Sequence, residues 1–127
     1  MARTGTRNRT LDNTGLIPIL ARKVREVEAK AATGKKVGPT NRTKFQVIAF
    51  LVREERARVK NDAELNDATR AEQLKRLDGV ATILAKTAAR DTSLIQLLEV
   101  DHATSPVAQK MRRDWLVESG TEVNAED

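Results

Sequence analysis

The chain has 127 residues, of which 39% are hydrophobic, 32% are charged and 2% are aromatic. The length suits one domain, and the lack of cysteine excludes disulfide frameworks, zinc knuckles and thiol nucleophiles. Because no apolar run approaches the roughly 18 residues of a membrane span and no signal peptide is evident, we expect a soluble cytoplasmic protein without a membrane partner. β-Sandwiches and barrels depend on β-branched and aromatic side chains, so the scarcity of aromatic residues argues against an all-β domain. Together with the helices predicted below, it indicates an all-α fold.

Charge is divided unevenly along the chain. Residues 1–60 carry 15 Lys and Arg against 5 Asp and Glu, a net charge of +10, whereas residues 61–127 carry 8 against 13, a net charge of −5. This asymmetry indicates a polyanionic partner, of which nucleic acid is the commonest. The alternative is that the two halves attract each other and keep the domain soluble.

The two termini are predicted to flank a helical domain of residues 14–120. Residues 1–13 contain almost no apolar side chains, so they cannot bury enough surface to offset the entropy of ordering. They are predicted to form a flexible basic arm whose guanidinium groups bind phosphates. The alternative is an ordinary disordered terminus without a binding role. Residues 121–127 are predicted to form an acidic tail. The arginines of the arm are Arg3, Arg7 and Arg9.

The first predicted helix runs from Leu16 to Thr33, with Asn13 or Thr14 as its cap. Its apolar residues recur every three or four positions, which places them on one face of a helix. These residues are Leu16, Leu20, Val24, Val27 and Ala31. The pattern predicts that this face packs against the core.

Cations accompany this helix and the loop that follows it. Arg22 and Arg25 lie mostly away from the apolar face, and with Lys35 and Lys36 they are predicted to form a basic surface. The loop is not a phosphate-binding loop, because a Walker A motif needs a glycine at the position of Ala29 and a serine or threonine at the position of Lys36. We therefore predict a hinge with two lysines and no nucleotide site.

The second predicted helix starts near Thr40 or Asn41 and continues to Lys60. Phe45 and residues 47–52 are apolar on every side, as in a segment that is buried all round. Their β-propensity alone also allows a strand, but no turn signal separates them from the helix-forming residues that follow. A single helix is therefore predicted, with its first half in the core and its charged second half projecting into water.

The third predicted helix has the clearest pattern. Thr69 and Glu72 match a capping box, although Asn66 or Asp67 can cap an earlier start. Gly79 lowers helix propensity and is interpreted as allowing close approach of another helix. The apolar residues alternate at spacings of three and four, which is typical of a packing seam in a bundle. They are Leu74, Leu77, Ala81, Leu84 and Ala88.

Two more helices complete a predicted compact bundle of about five. A short helix begins within residues 91–93, and its leucine-rich set is predicted to be buried, with an exposed docking patch as the alternative: Leu94, Ile95, Leu97 and Leu98. Ser105 and Pro106 form a strong start signal for a fifth helix that ends near Ser119. Its predicted inward side chains are Ala108, Met111 and Trp115, and its predicted outward side chains are Lys110, Arg112 and Arg113.

Residues suited to catalysis are missing from this pattern. The single histidine, His102, lies in a polar loop, and no Gly-x-Ser-x-Gly, dinucleotide fingerprint or calcium loop occurs. The carboxylates lie on helix surfaces or at caps, without an apolar setting that would raise a pKa. The sequence therefore predicts a protein that is not an enzyme and has no cofactor, metal or small-molecule substrate.

Two stretches carry a family resemblance, RTKFQVIAFLVREERAR at residues 42–58 and LDGVATILAKTAARD at residues 77–91. Together with the opening MARTGTR, they resemble the N-terminal helical region of actinobacterial DEAD/DEAH-box superfamily II helicases. The Walker A loop and the Asp-Glu-Ala-Asp or Asp-Glu-x-His box of such helicases do not occur in this sequence. The resemblance implies an accessory domain of a longer chain or a free-standing relative, and it assigns no functional residue.

We therefore predict a non-catalytic, nucleic-acid-associated helical module, either an accessory region of a helicase-like motor or an independent binder. It contacts phosphates of DNA or RNA without base specificity. The predicted contacts are Arg3, Arg7, Arg9, Arg22, Arg25, Lys35, Lys36, Arg42 and Lys44. The alternative is a protein-interaction adaptor that docks onto a larger transcription or nucleic-acid-processing machine. The first hypothesis requires the cations to form a continuous outward patch that the acidic half does not neutralise.

Overall fold

A computed structural model describes residues 15–99 and 105–120, which form five helices and no strand. In chain order the elements are α1 (Leu16–Ala32), α2 (Pro39–Asn61), α3 (Asp67–Arg90), a 3₁₀ helix (Thr92–Glu99) and α4 (Pro106–Glu118). The prediction of an all-α bundle is confirmed. The predicted basic arm, the acidic tail and His102 lie outside the described residues. None of the helices within those residues is long and apolar enough to cross a membrane.

One apolar core connects all the helices, and α2 lies at its centre. This helix packs against α1, α3, the 3₁₀ helix and α4, so residues 45–52 are buried on nearly every side, as predicted. The apolar face of α1 is also buried as predicted. The largest side chains without exposed surface are Phe45, Leu20, Ile48, Leu51, Leu77 and Leu94. Burial of this set supplies the main driving force for folding.

The second half of α2 does not simply project into water. Val59 is completely buried and Glu55 keeps only 9% of its surface exposed. The Glu55 carboxylate accepts two hydrogen bonds from the Arg58 guanidinium, at 2.9 and 2.7 Å. This bidentate pairing compensates the carboxylate for its burial and raises the pKa of Arg58. The prediction of a solvated second half is therefore wrong for one face of the helix.

The starts of two helices differ from their predicted caps, and a third helix uses its alternative predicted cap. Gly15 occupies the cap position of α1, and Gly38 occupies that of α2, with Pro39 in the first turn. At α3 the Asn66 side chain accepts a hydrogen bond from the Thr69 N–H at 2.8 Å, so the helix begins before the predicted capping box. Glu72 pairs instead with Arg76. The cap at Ser105 is confirmed, since its hydroxyl accepts a hydrogen bond from the Ala108 N–H at 3.0 Å.

The leucine-rich segment is only partly buried. Leu94 is fully buried and Leu97 and Leu98 are half-buried, whereas Ile95 remains 46% exposed. The segment forms a 3₁₀ helix with three residues per turn, so Leu94 and Leu97 share one side and Ile95 points away from it. The prediction that all four residues are buried is therefore wrong.

On α4 the predicted inward side is confirmed, with Ala108 and Trp115 buried and Met111 half-buried. Arg112 was expected to point outward, but it lies over the Phe50 ring at 5.5 Å and pairs with Glu54 at 3.3 Å. This cation covers the partly buried aromatic edge of the core.

The C-terminal ends of α1 and α3 lie at the same end of the bundle. Short connections make α1, α2 and α3 alternate in direction, and Val37, after α1, donates its N–H to the Asp91 carboxylate, after α3, at 3.1 Å. The start of α2 lies at this end too. We call it the Val37–Asp91 end.

Gly79 does not serve close helix packing. It is exposed in the middle of α3, and a β-carbon built there meets nothing within 4 Å.

We therefore expect Gly79→Ala to raise the free energy of unfolding by about 0.5–1 kcal/mol, since alanine restricts the unfolded chain and favours helix. Urea denaturation followed by circular dichroism measures this. The matched variant Gly34→Ala should be destabilised, because Gly34 has a φ of +85°. Equal effects of both substitutions would contradict the argument.

Candidate nucleic-acid interface

Arg22, on the exposed face of α1, pairs with a carboxylate from the acidic half of the chain. Its guanidinium lies 2.6 Å from the Glu118 carboxylate of α4, and the two side chains are 55% and 48% exposed. The partners are far apart in sequence, so only the fold brings them together. The predicted basic surface is interrupted at this point.

The two candidate residues of α2 also have partners. The Lys44 ammonium lies 3.2 Å from the Glu26 carboxylate of α1. Arg42 donates a hydrogen bond of 2.6 Å to the Ser93 hydroxyl, which belongs to the 3₁₀ helix. Arg42 and Lys44 therefore tie α2 to its neighbours, and neither presents an unpaired cation to solvent.

The other three candidates within the described residues are Arg25, Lys35 and Lys36. All three side chains are exposed, and within this part of the chain none of their charged groups has an ion pair or hydrogen bond. The structure thus divides the predicted set into engaged residues and free residues. Arg3, Arg7 and Arg9 lie outside the described residues. Binding by any of the nine remains a prediction.

Another cation from residues 1–60 pairs with an acidic residue from residues 61–127. The guanidinium of Arg56 on α2 pairs with the Asp78 carboxylate on α3. The Lys23 ammonium instead lies over the Trp115 ring, 5.6 Å from its centre. The expected patch is therefore not continuous on α1 and α2, because Glu26, Asp78 and Glu118 interrupt it.

A polar cluster fixes the loop that bears Lys35 and Lys36. One carboxylate oxygen of Asp91 accepts the Val37 N–H, and the other accepts the Ser93 hydroxyl at 2.6 Å and the Ser93 N–H at 3.1 Å. The pKa of Asp91 is lowered, chiefly by the hydrogen bond from the Ser93 hydroxyl. Arg42 completes the cluster through Ser93.

Sequence reasoning missed this cluster. The Asp91-Thr92-Ser93 order contained a local signal, since Asp side chains often accept the N–H two residues ahead. Nothing in the sequence indicated Val37 as the second donor, because 54 residues separate it from Asp91. Within residues 15–99 and 105–120, no group of three His, Cys, Asp or Glu side chains is placed so that it could hold a metal ion.

The lowered pKa of Asp91 predicts an acid-dependent loss of stability. Its contribution is fully present above the ordinary carboxyl pKa of roughly 3.9 and disappears as the pH falls through the lower pKa of the folded state. We expect Asp91→Asn to lower the melting temperature at neutral pH, and the difference from wild type to shrink below roughly pH 4. Thermal unfolding across this range measures it. Asp114→Asn, which removes an exposed partner of Lys110, is the control and should show little effect. A pH-independent difference for Asp91→Asn would contradict the prediction.

Comparison with known proteins places most of the chain in one group. Residues 17–120 match the family model described as Actinobacterial helicase N-terminal four helix bundle. No curated protein and no solved structure shows significant similarity to the chain. The four α-helices around one core agree with the description of the matched family.

Proposed function

Because the chain belongs to the actinobacterial helicase N-terminal four-helix-bundle family, we propose that it is a non-catalytic module that contacts the phosphate backbone of nucleic acid for a helicase-like motor. The family confirms the resemblance seen in the sequence. Such a bundle is an accessory region of a helicase, which agrees with the lack of motor motifs in this sequence. Nucleic-acid contact is our extension of this finding.

The observation that carries the proposal is the exposure of Arg25, Lys35 and Lys36 without anionic partners in the described part of the chain. Exposed cations of this kind gain affinity by releasing counterions from the phosphate backbone. Arg22 can join them at small cost, because exposed ion pairs such as Arg22–Glu118 contribute about 0–1 kcal/mol. A phosphate can thus replace the carboxylate.

The aromatic residues support phosphate contact rather than base stacking. Phe45 is fully buried, Trp115 is 5% exposed, and Arg112 covers the ring of Phe50. Proteins that grip single strands by stacking need exposed aromatic rings. Binding through the described residues is therefore expected to be indifferent to base sequence.

The test is a titration of the 127-residue chain with random-sequence duplex DNA, single-stranded DNA and RNA at two salt concentrations. Affinity for the duplex should fall with a log–log slope of about −0.9 for each phosphate neutralised. Arg25→Gln/Lys35→Gln/Lys36→Gln should weaken binding and make this slope shallower by about 2.7. The control Lys60→Gln/Lys75→Gln/Arg113→Gln removes the same charge from exposed residues elsewhere. No binding to any of the three nucleic acids at low salt would refute the proposal.

A second candidate function is an adaptor that binds a helicase motor protein. Ile95 and Val107 are the exposed large hydrophobic residues of the described chain, at 46% and 62%. Half-buried Leu98 and Met111 belong to the same two helices. Large apolar side chains that remain exposed are candidates for contact with a protein partner.

We expect Ile95→Asp/Val107→Asp to abolish capture of a motor protein if this second function is correct. The measurement is a pull-down from an actinobacterial lysate with mass-spectrometric identification of a protein that contains a Walker A motif. Val117→Asp, at a half-buried position elsewhere on α4, is the control for a general effect of added charge. Recovery of no motor protein by the wild-type chain would count against the adaptor.

A further inference from the structure

Cations from both halves of the chain meet at the Val37–Asp91 end. Lys36 immediately precedes Val37 and Arg90 immediately precedes Asp91, so the 3.1 Å hydrogen bond between Val37 and Asp91 brings the backbones of these two cationic residues close together. Arg90 comes from the half of the chain with net negative charge. Charge counting along the sequence therefore gave no reason to include it.

Neighbouring helix turns add more cations to this end. Lys86 lies one turn before Arg90 on α3, and Lys30 lies in the last turn of α1. Lys35 completes the group in the loop. All five side chains are exposed, and within the described residues none of their charged groups has an ion pair or hydrogen bond. We call Lys30, Lys35, Lys36, Lys86 and Arg90 the basic end.

Asp91, the carboxylate closest to this group in the chain, forms no direct ion pair with any of the five cations. Asp91 already accepts three hydrogen bonds, from Val37 and from Ser93, and the charge of Arg42 also helps to lower its pKa. This differs from Arg22, Lys44 and Arg56, each of which pairs directly with Glu or Asp. At the basic end, five cations without an ion pair among the described residues therefore lie on adjoining turns of α1 and α3 and in the loop that follows α1.

We propose that the basic end is the phosphodiester-binding site of this module, with Lys86 and Arg90 as essential contacts beside Lys30, Lys35 and Lys36. The inference rests on the proposed function and assigns it a place. Like charges four residues apart on a helix repel each other slightly, so Lys86 and Arg90 weaken α3 when no anion is bound. A phosphate backbone across this end relieves the repulsion, and the five side chains release the counterions condensed on the phosphates that they neutralise.

The alternative to phosphate binding is that these residues only stabilise the helices, and the two roles give different expectations. Lys30 and Arg90 lie in the last turns of their helices, where cations compensate the negative end of the helix dipole. This role alters the stability of the fold but not its affinity for nucleic acid. Lys86 lies a turn further from the helix end, where the dipole effect has largely fallen off.

The decisive variant is Lys86→Gln/Arg90→Gln in the 127-residue chain, compared with Lys60→Gln/Lys75→Gln. Both variants lose two positive charges from exposed positions, but Lys60 and Lys75 lie away from the basic end. For random-sequence duplex DNA, the first variant should bind at least about tenfold more weakly at low salt, and its salt slope should be shallower by about 1.8. The control should bind nearly as wild type. Single-stranded DNA and RNA are titrated in parallel to identify the preferred backbone.

Two further measurements keep the test independent of folding. Lys86→Arg/Arg90→Lys retains both charges and should retain binding, and circular dichroism reports whether each variant is folded. If the double substitution to Gln unfolds the chain, Lys86→Gln alone should make the slope shallower by about 0.9.

The outcomes separate the two proposals. If the wild-type chain binds and the Lys86/Arg90 variant binds as its control does, the basic end is not the site, while the proposed function stands. If the wild-type chain binds no nucleic acid at low salt, both proposals are overturned. Selective loss of binding in the Lys86/Arg90 variant supports both.

Discussion

The burial of α2 on nearly every side is the constraint on which the rest of this structure depends. A helix in which Phe45 and residues 47–52 are apolar all round needs neighbours on all sides, and it has them in α1, α3, the 3₁₀ helix and α4. Because α1 and α3 flank this helix and run opposite to it, their C-terminal ends meet at the end where α2 begins. The position of the five cations of the basic end at the same end of the bundle is therefore a consequence of core packing.

Most of the fold could be predicted from the sequence, because its signals are local. The spacing of Leu16, Leu20 and Val24 defines the buried face of α1, and the Ser105-Pro106 pair defines the start of α4. Where two local signals competed, the sequence could not decide between them. At the start of α3, Asn66 and the Thr69–Glu72 pair were both adequate caps, and the structure uses Asn66, which accepts the Thr69 N–H. Near Ile95 the helix type itself differs, and a 3₁₀ turn redistributes the apolar side chains.

The candidate site was harder to predict, because charge pairing depends on residues that are distant in sequence. Arg22 and Glu118 are 96 residues apart, and Arg56 and Asp78 are 22 apart, yet each pair is in contact. Dividing the chain into a basic and an acidic half could not show which cations such contacts remove. It also could not show that Lys86 and Arg90, from the acidic half, lie at the same end as Lys36. Composition indicated that excess positive charge exists, and only the tertiary arrangement shows where it remains uncompensated.

The engaged and the free cations have different physical roles in this arrangement. Arg42 is half-buried and bonded to Ser93, so its removal from this contact would leave a polar group of the Asp91 cluster without its partner. Arg22 forms an exposed pair and Lys44 a partly exposed pair, whose contributions are small and fall with salt, so they can exchange a carboxylate for a phosphate. The cations of the basic end have no such partner to lose. Under the proposed function, a phosphate at the basic end or at Arg25 would therefore displace no ion pair of the described residues, whereas a phosphate at Arg22 would first have to replace Glu118.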